Sequence, residues 1–356
     1  STLAIPALVL ITVFYGFIKK TDVYANFIEG SKDSFKMVYN LFNINAVERI
    51  IRYGIDNGFT FEIGVRVSKG QDYAKVRIVN YHTNIVLIEK NGEILFEEHV
   101  EGEDEQGLTD RTLLDMANIW DFTNTVDIDD VREVIGRQIK YNTAIAEEGF
   151  RGNYGANIGS VLLDMEGNNV RTRAKARAAA GSDARMNGCE MPVVINSGSG
   201  NQGITCSVPV LAYAKKTSKD KELVYRALVV SNLITTHIKN SIGKLSAFCG
   251  VVIAGAGCGA GIAYLEGGQE REISHTIVNA LAIISGVVCD GAKSSCAAKI
   301  ASSVEAGILG YYMFKEGNQF LSGEGIVKKG VENTIKAIGN LARVGMCQTD
   351  KEIIQI

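Results

Sequence analysis

Proline is almost absent from this sequence, which contains three prolines but 38 glycines in 356 residues. Few prolines leave long helices uninterrupted, and glycines supply the turns between them and the loops where backbone approaches a ligand. An excess of either charge is also missing, because the formal net charge is −3. We therefore expect no nucleic-acid partner, since such a partner is normally met by a strongly basic surface.

Cysteine does not occur in the first half of the chain, and all seven cysteines lie between Cys189 and Cys347. This is not the paired spacing of a small secreted domain, and a chain of this length needs no disulfides to complete its core. We therefore predict a cytoplasmic protein with reduced thiols. Three of these thiols, in Cys249, Cys289 and Cys296, are soft ligands of the kind that suits zinc, copper(I) or an iron–sulfur cluster.

The spacing of the three cysteines limits how they can meet. In a continuous helix, Cys289 and Cys296 would be about 10.5 Å apart along the axis, which is too far for one cluster. Asp290-Gly291 is a turn signal, so we expect Cys289 to precede a helix and to fold back toward Cys296. Structural zinc usually takes four ligands in closely spaced pairs. Three thiolates favour a [4Fe–4S] cluster with one iron open to substrate, and zinc is the alternative metal.

The first 18 residues contain no charged side chain and are followed by Lys19 and Lys20. This length is at the short end of what a membrane-spanning helix needs, and the lysines would place the rest of the chain on the cytoplasmic side. Residues 1–42 also resemble the beginning of spore maturation protein B. We interpret them as a fused or truncated segment. Membrane attachment through residues 1–18, in a nucleoside-related membrane protein, is the alternative.

Residues 43–150 are predicted to form a small α+β domain. A short helix is expected over 44–57, and alternating apolar and polar residues over 59–68 and 75–79 indicate half-buried strands. Asn91-Gly92 lies between two further strand patterns and is a hairpin signal. Two more helices are predicted, near 108–118 and over 128–149.

Residues 151–356 are predicted to form a larger, mainly helical domain. Several of its apolar, glycine-rich segments are typical of helices buried at the centre of a bundle. We interpret them as close-packed helices rather than membrane spans, so the predicted fold class is α+β. The helices are predicted over residues 170–186, 205–215, 220–239, 243–264, 271–287, 293–315 and 325–345.

A loop rich in glycine, serine and asparagine precedes one of these helices. It follows the segment Asn187-Gly188-Cys189-Glu190-Met191-Pro192 and contains Ser197, Gly198, Ser199, Gly200 and Asn201. Successive backbone N–H groups at the start of a helix form a site for anions. The bound anion could be a phosphate or the carboxylate of an amino acid.

These segments together resemble the L-cysteine desulfidase family, which is related to the α-subunit of iron–sulfur L-serine dehydratases. The resemblance rests on residues 187–192, 197–203 and 289–293, with residues 82–86 in the smaller domain, and covers about residues 45–356. It implies an oxygen-sensitive [4Fe–4S] lyase that needs no pyridoxal phosphate. Such an enzyme eliminates sulfide from L-cysteine to give pyruvate and ammonia. L-serine dehydratase activity is the alternative.

The resemblance also assigns residues. Cys249, Cys289 and Cys296 match the cluster ligands, and the open iron would act on the substrate as a Lewis acid. Asn187 and the loop from Ser197 to Asn201 match the substrate-binding region, with His82 and Asn84 as further candidates.

The family's Gly-Cys-Thr-Glu-Pro motif, whose cysteine is the proposed general base, does not occur in this sequence. Loss of a general base typically costs roughly 10²–10⁴-fold in rate. No catalytic residue is therefore assigned, and a cluster-binding protein without catalysis is a further alternative. The resemblance and the apolar, glycine-rich helices also lead us to expect a homodimer.

Overall fold

The computed structural model describes residues 62–79, 85–98, 110–243 and 246–356. The predicted segment 1–42, the predicted helix 44–57 and the candidate substrate residues His82 and Asn84 lie outside the described residues. The chain divides into two compact units, of which the second, Asp110–Ile353, contains all the cysteines. The α+β fold class is confirmed.

The first unit contains a four-stranded antiparallel sheet in which each strand pairs with the next along the chain. Its strands are β1 (Glu62–Lys69), β2 (Asp72–Val79), β3 (Ile85–Lys90) and β4 (Glu93–Glu97). Asn91 and Gly92 connect β3 to β4 with φ values of 52° and 88°, the left-handed backbone that a two-residue hairpin requires. The hairpin prediction is confirmed.

The second unit is built from helices. Its α-helices are α1 (Met116–Thr125), α2 (Ile128–Arg151), α3 (Ile158–Glu166), α4 (Val170–Met186), α5 (Gly200–Thr217), α6 (Lys221–Ile242), α7 (Gly250–Leu265), α8 (Glu270–Ile284), α9 (Cys296–Lys315), α10 (Val331–Asn340) and α11 (Cys347–Gln355). A single 3₁₀ turn, Arg111–Leu113, precedes α1, and a π-helical turn, Leu341–Gly345, follows α10.

Helices α1 and α2 belong to the second unit because they pack against helices that follow them in the chain. Nη1 of Arg226 in α6 donates to the carbonyl of Thr123 in α1 at 2.6 Å. Nε2 of Gln138 in α2 donates to Oδ1 of Asn232 in α6 at 2.9 Å. The division between the units therefore lies after residue 109, whereas the sequence analysis places a domain boundary at residue 150.

Helix α7 is buried on every side from Val251 to Leu265. Glycines on two faces of α7 allow the neighbouring helices to pack close enough to bury it. A Cβ atom on Gly259 would lie 2.6 Å from the carbonyl oxygen of Gly307 in α9, and one on Gly261 would lie 2.8 Å from that of Ala227 in α6. The two neighbouring helices therefore approach α7 at backbone distance, as predicted for close-packed, glycine-rich helices.

The predicted start of α7 is wrong. The sequence predicts a helix over 243–264, but α7 begins at Gly250, and Phe248 instead forms a β-bridge with Val288. This pairing holds the chain extended just before the helix.

In the part of the chain that the structure describes, none of the helices combines the length and the apolar character that crossing a bilayer needs.

Glu332 at the start of α10 connects three helices. Its Oε1 accepts a hydrogen bond from the backbone N–H of Met116 at 2.9 Å, and its Oε2 lies 2.9 Å from Nε2 of His237 in α6. Burial disfavours the charged carboxylate, but the hydrogen bond and charge of His237 and the Met116 amide outweigh burial. The pKa of Glu332 is therefore lowered below its usual value.

We expect Glu332→Gln to reduce the free energy of unfolding of the metal-free protein at neutral pH by roughly 1 kcal/mol. A carboxyl group whose pKa is lowered by folding contributes stability above its unfolded pKa, which is 4.5. That contribution disappears as the pH falls through the lower, folded pKa. Urea unfolding at several pH values should show the two proteins converging below pH 4.5, while Glu133→Gln, at an exposed position, serves as the control. A difference that stays constant with pH would contradict the assignment.

Candidate functional site

Cys249 and Cys289 lie side by side because the extended segments that carry them are paired. The backbone N–H of Cys249 donates to the carbonyl of Val287 at 2.9 Å, and that of Cys289 donates to the carbonyl of Ala247 at 2.6 Å. A hydrogen bond between the two thiols, together with burial, raises the pKa of Cys249. The paired segments thus bring the two thiols into hydrogen-bond contact.

Cys296 lies at the start of α9, and Lys299 in the same helix interacts electrostatically with both Cys296 and Cys249. Cys296 is the first residue of that helix, and Cys249 is the N-cap of α7. Gly291, with a φ of 100°, turns the chain between Cys289 and Cys296, and the Cys296 thiol lies 3.6 Å from the Gly291 carbonyl oxygen. Two of the three sulfurs thus lie at helix N-termini, where the helix dipole favours a thiolate.

Two lysines that the sequence analysis did not single out face the cysteines. Nζ of Lys299 in α9 donates to the carbonyl of Val288 at 2.9 Å and interacts electrostatically with Cys249 and Cys296. Lys239 in α6 interacts in the same way with Cys249 and Cys289, although burial lowers its pKa. Lys299 also forms an ion pair with Asp290, so the two lysines offset only part of the negative charge that three thiolates would concentrate here.

The three cysteines could bind either a single metal ion or an iron–sulfur cluster. Within the described ranges, no three His, Cys, Asp or Glu side chains are close enough to share one metal ion. Cysteines around an iron–sulfur cluster bind different irons, so they surround a larger object than one ion. The three thiols, two of them at helix N-termini, are the residues that would hold such a cluster, with two lysines nearby to balance its charge.

The predicted anion loop lies at the start of α5. Asn196 and Ser199 exchange two backbone hydrogen bonds of 3.1 and 3.0 Å, with Ser197 and Gly198 at positive φ between them. Ser199 is the N-cap of α5, and its hydroxyl accepts from the N–H of Gln202 at 3.4 Å. The loop thus presents the N–H end of an 18-residue helix, which favours an anion.

Buried amide side chains of α2 and α6 hold this loop in place through hydrogen bonds. Nδ2 of Asn196 donates to Oδ1 of Asn232 at 3.0 Å, and Nδ2 of Asn232 donates to Oε1 of Gln138 at 2.8 Å. Asn142 pairs with both the N–H and the carbonyl of Val194, at 2.8 and 3.1 Å. These supporting residues cannot be identified from the sequence, because single polar residues within amphipathic helices carry no local signal.

Arg185 near the end of α4 faces the first turn of α5. Its Nη1 donates to Oδ1 of Asn201 at 3.3 Å, and a Cβ atom on Gly200 would overlap its guanidinium group. A guanidinium beside a helix N-terminus strengthens an anion site and matches the geometry of a carboxylate. The sequence gives no reason to single out Arg185, because α4 carries several other basic residues.

Asn187 connects the loop region with the cysteines. Its Oδ1 accepts from Oγ of Ser294 at 2.8 Å, within the segment between Cys289 and Cys296. Its Nδ2 donates to the backbone carbonyl of Asp183 at 2.7 Å. The structure therefore brings Asn187 next to the predicted cluster ligands, while Ser197 to Asn201 lie at the start of α5.

Asp183 is a buried acid that the sequence analysis did not identify. Neither of its carboxyl oxygens accepts a well-formed hydrogen bond in the described structure. Burial raises the pKa of Asp183 to about 6, although nearby amides at the start of α3, from Gly159, Ile158 and Ala156, oppose the rise. This buried acid therefore lies close to α3 and one turn before Asn187.

A cavity of about 460 Å³ lies away from these residues, between α2, α5 and α6. Apolar residues such as Ile139, Leu211 and Val224 line it, and lysines lie at its edge. It contains none of the predicted site residues. The candidate site is therefore defined by the cysteines and the loop rather than by this cavity.

Comparison with known proteins identifies the family of the chain. The family model described as the serine dehydratase alpha chain matches residues 37–355. The chain belongs to this family. A UPF0597 protein of Desulfitobacterium hafniense is 60% identical over 301 residues, covering 85% of this chain and 70% of the relative. A UPF0597 protein of Lachnoclostridium phytofermentans is 54% identical, covering 82% of this chain and 70% of the relative. A UPF0597 protein of Finegoldia magna is 45% identical, covering 86% of this chain and 72% of the relative.

Proposed function

We propose that this protein is a [4Fe–4S]-dependent lyase that eliminates sulfide from L-cysteine and gives pyruvate and ammonia. The observation that carries the proposal is the direct contact of Cys249 with Cys289, together with Lys299, which interacts with both Cys249 and Cys296 at two helix N-termini. Membership of the serine dehydratase alpha-chain family supports a lyase. When bound, the cluster supplies a Lewis acid at the iron that lacks a protein thiolate.

The remaining residues would bind and orient the amino acid. The carboxylate is assigned to the N–H groups at the start of α5, with Arg185 beside them. Asn187 is held by Ser294 at the edge of the cysteine segment, where it would contact the substrate near its reacting end. The amides below the loop keep the carboxylate position rigid, which favours reaction because the substrate is already oriented.

A second candidate is the deamination of L-serine. The observation that favours it is the name of the matching family model, the serine dehydratase alpha chain. Both reactions remove a β-substituent from an amino acid, so the same three thiolates and the same loop would serve either. The two candidates differ only in whether a thiol or a hydroxyl group leaves.

The test is to purify the protein anaerobically, to establish that it contains iron and acid-labile sulfide, and to measure pyruvate from both amino acids. We expect L-cysteine to give pyruvate and sulfide in equal amounts, at a higher kcat/KM than L-serine. A higher kcat/KM for L-serine would establish the second candidate instead. Release of pyruvate from neither amino acid by the cluster-loaded protein would contradict the lyase proposal and favour a cluster-binding protein without catalysis.

A further inference from the structure

We propose that the Gln202 side chain binds the α-ammonium group of the substrate and thereby selects α-amino acids over the corresponding 2-hydroxy acids. This inference rests on the proposed function, because it assigns a role within the same site. It explains an acceptor that the protein buries without using it.

Gln202 is only 5% exposed, and its Oε1 has no hydrogen-bond partner among the residues that the structure describes. A buried acceptor without a partner costs free energy, because it gives up hydrogen bonds to water and gains none. Such atoms are rare in native proteins and call for an explanation. A bound ligand that donates a hydrogen bond to Oε1 supplies one.

The position of Gln202 places this acceptor between the two parts of the site. The residue lies in the first turn of α5, directly after the anion loop. Its carboxamide packs against Gly250, where a Cβ atom would lie 2.5 Å from Nε2 and 2.9 Å from Cδ. Gly250 follows Cys249, so the carboxamide extends from the loop to the residue next to a predicted cluster ligand.

The chemistry of an amino acid matches this arrangement. The loop N–H groups and Arg185 are donors, which suit the carboxylate but cannot bind an ammonium group. The ammonium group carries only donors and therefore needs an acceptor. The other amide oxygens around the site are already engaged, in contacts from Ser197 to Asn196, from Arg185 to Asn201 and from Ser294 to Asn187. Among the described residues around the site, Oε1 of Gln202 is the amide oxygen that accepts no hydrogen bond.

The experiment uses L-alanine and L-lactate, which differ only in the group at the α-carbon and have no leaving group. Calorimetric titration of the cluster-loaded protein with each gives binding without turnover. We expect wild type to prefer L-alanine, and Gln202→Met to weaken L-alanine binding by about 10- to 100-fold while L-lactate binding changes less than about twofold. Iron and labile sulfide should stay at the wild-type level, because Gln202 is not a cluster ligand.

Two further variants keep the test decisive. Gln202→Glu retains an acceptor and adds a negative charge, so we expect the ratio of L-alanine to L-lactate affinity to rise, even if Gln202→Met folds poorly. Gln319→Met, at an exposed position, should leave both affinities unchanged. Equal weakening of both ligands in Gln202→Met, with the Gln202→Glu ratio unchanged, would overturn this inference alone. Failure of wild type to bind L-alanine, together with no pyruvate from L-cysteine, would overturn the proposed function as well.

Discussion

Cys289→Ala is expected to prevent cluster assembly and to abolish pyruvate release. The alanine removes one of three thiolates, and the hydrogen bond between Cys289 and Cys249 disappears with it. Lewis-acid stabilisation by a metal is worth several kcal/mol, which corresponds to a loss on the order of 10³-fold in rate. Iron and labile sulfide after anaerobic reconstitution, and pyruvate formation from L-cysteine, measure the two effects separately.

Cys347→Ala is the matched control for this prediction. Like Cys289, Cys347 is a partly buried, unbridged cysteine, but no described contact connects it with the three predicted ligands. We expect this variant to keep its iron, its sulfide and its activity. Equal iron loss in both variants would contradict the assignment of Cys289, and so would a Cys289→Ala protein that retains full cluster content and turnover.

Gly307→Ala is expected to destabilise the helical unit by about 3 kcal/mol, the upper part of the usual range for overpacking a core. The new Cβ atom would overlap the carbonyl oxygen of Gly255 and lie 3.1 Å from the N atom of Gly259. Both are backbone atoms of α7, so no side chain can move aside and the helices α7 and α9 must separate. Because these helices begin with or directly after Cys296 and Cys249, we also expect weaker cluster retention.

Gly136→Ala is the control for Gly307→Ala because it places the same methyl group on a helical glycine in α2. There the new Cβ atom would lie 3.2 Å from the hydroxyl oxygen of Tyr225, at the far end of a side chain that can shift. Alanine favours a helix by roughly 0.8–1 kcal/mol over glycine, so stability should stay equal or rise. Thermal unfolding of both variants tests whether Gly307→Ala is the more destabilising of the two. Similar melting temperatures for the two variants would contradict the packing argument.

Local signals in the sequence predicted much of the fold. The Asn91-Gly92 pair and the alternating residues around it were sufficient for the hairpin, because both depend only on neighbouring residues. Helix α4 was predicted with the bounds that the structure shows, Val170–Met186. Its start carries an ordinary signal, since the side chain of Asn169 accepts from the N–H of Thr172.

Elements without such signals were missed or misplaced. Helix α3 was not predicted, and its N-cap, Asn157, has a φ of 49° and makes no capping hydrogen bond from its side chain. Helix α5 was predicted to begin at residue 205, because the glycine and amide residues from Gly200 onward resemble a loop. The start of α7 depends on the bridge between Phe248 and Val288, and no local pattern records a pairing between distant segments.

The sequence by itself determined which chemical groups this protein has and in what order: three cysteines that suit a cluster, a turn after Cys289, and a loop that suits an anion. Only the tertiary structure decided which other groups face them. Lys299 beside the cysteines, Arg185 beside the loop and Gln202, whose Oε1 has no partner among the described residues, all lie on helices where their residue types are ordinary. Their roles depend on contacts between distant parts of the chain, and helical periodicity describes only the face on which a residue lies.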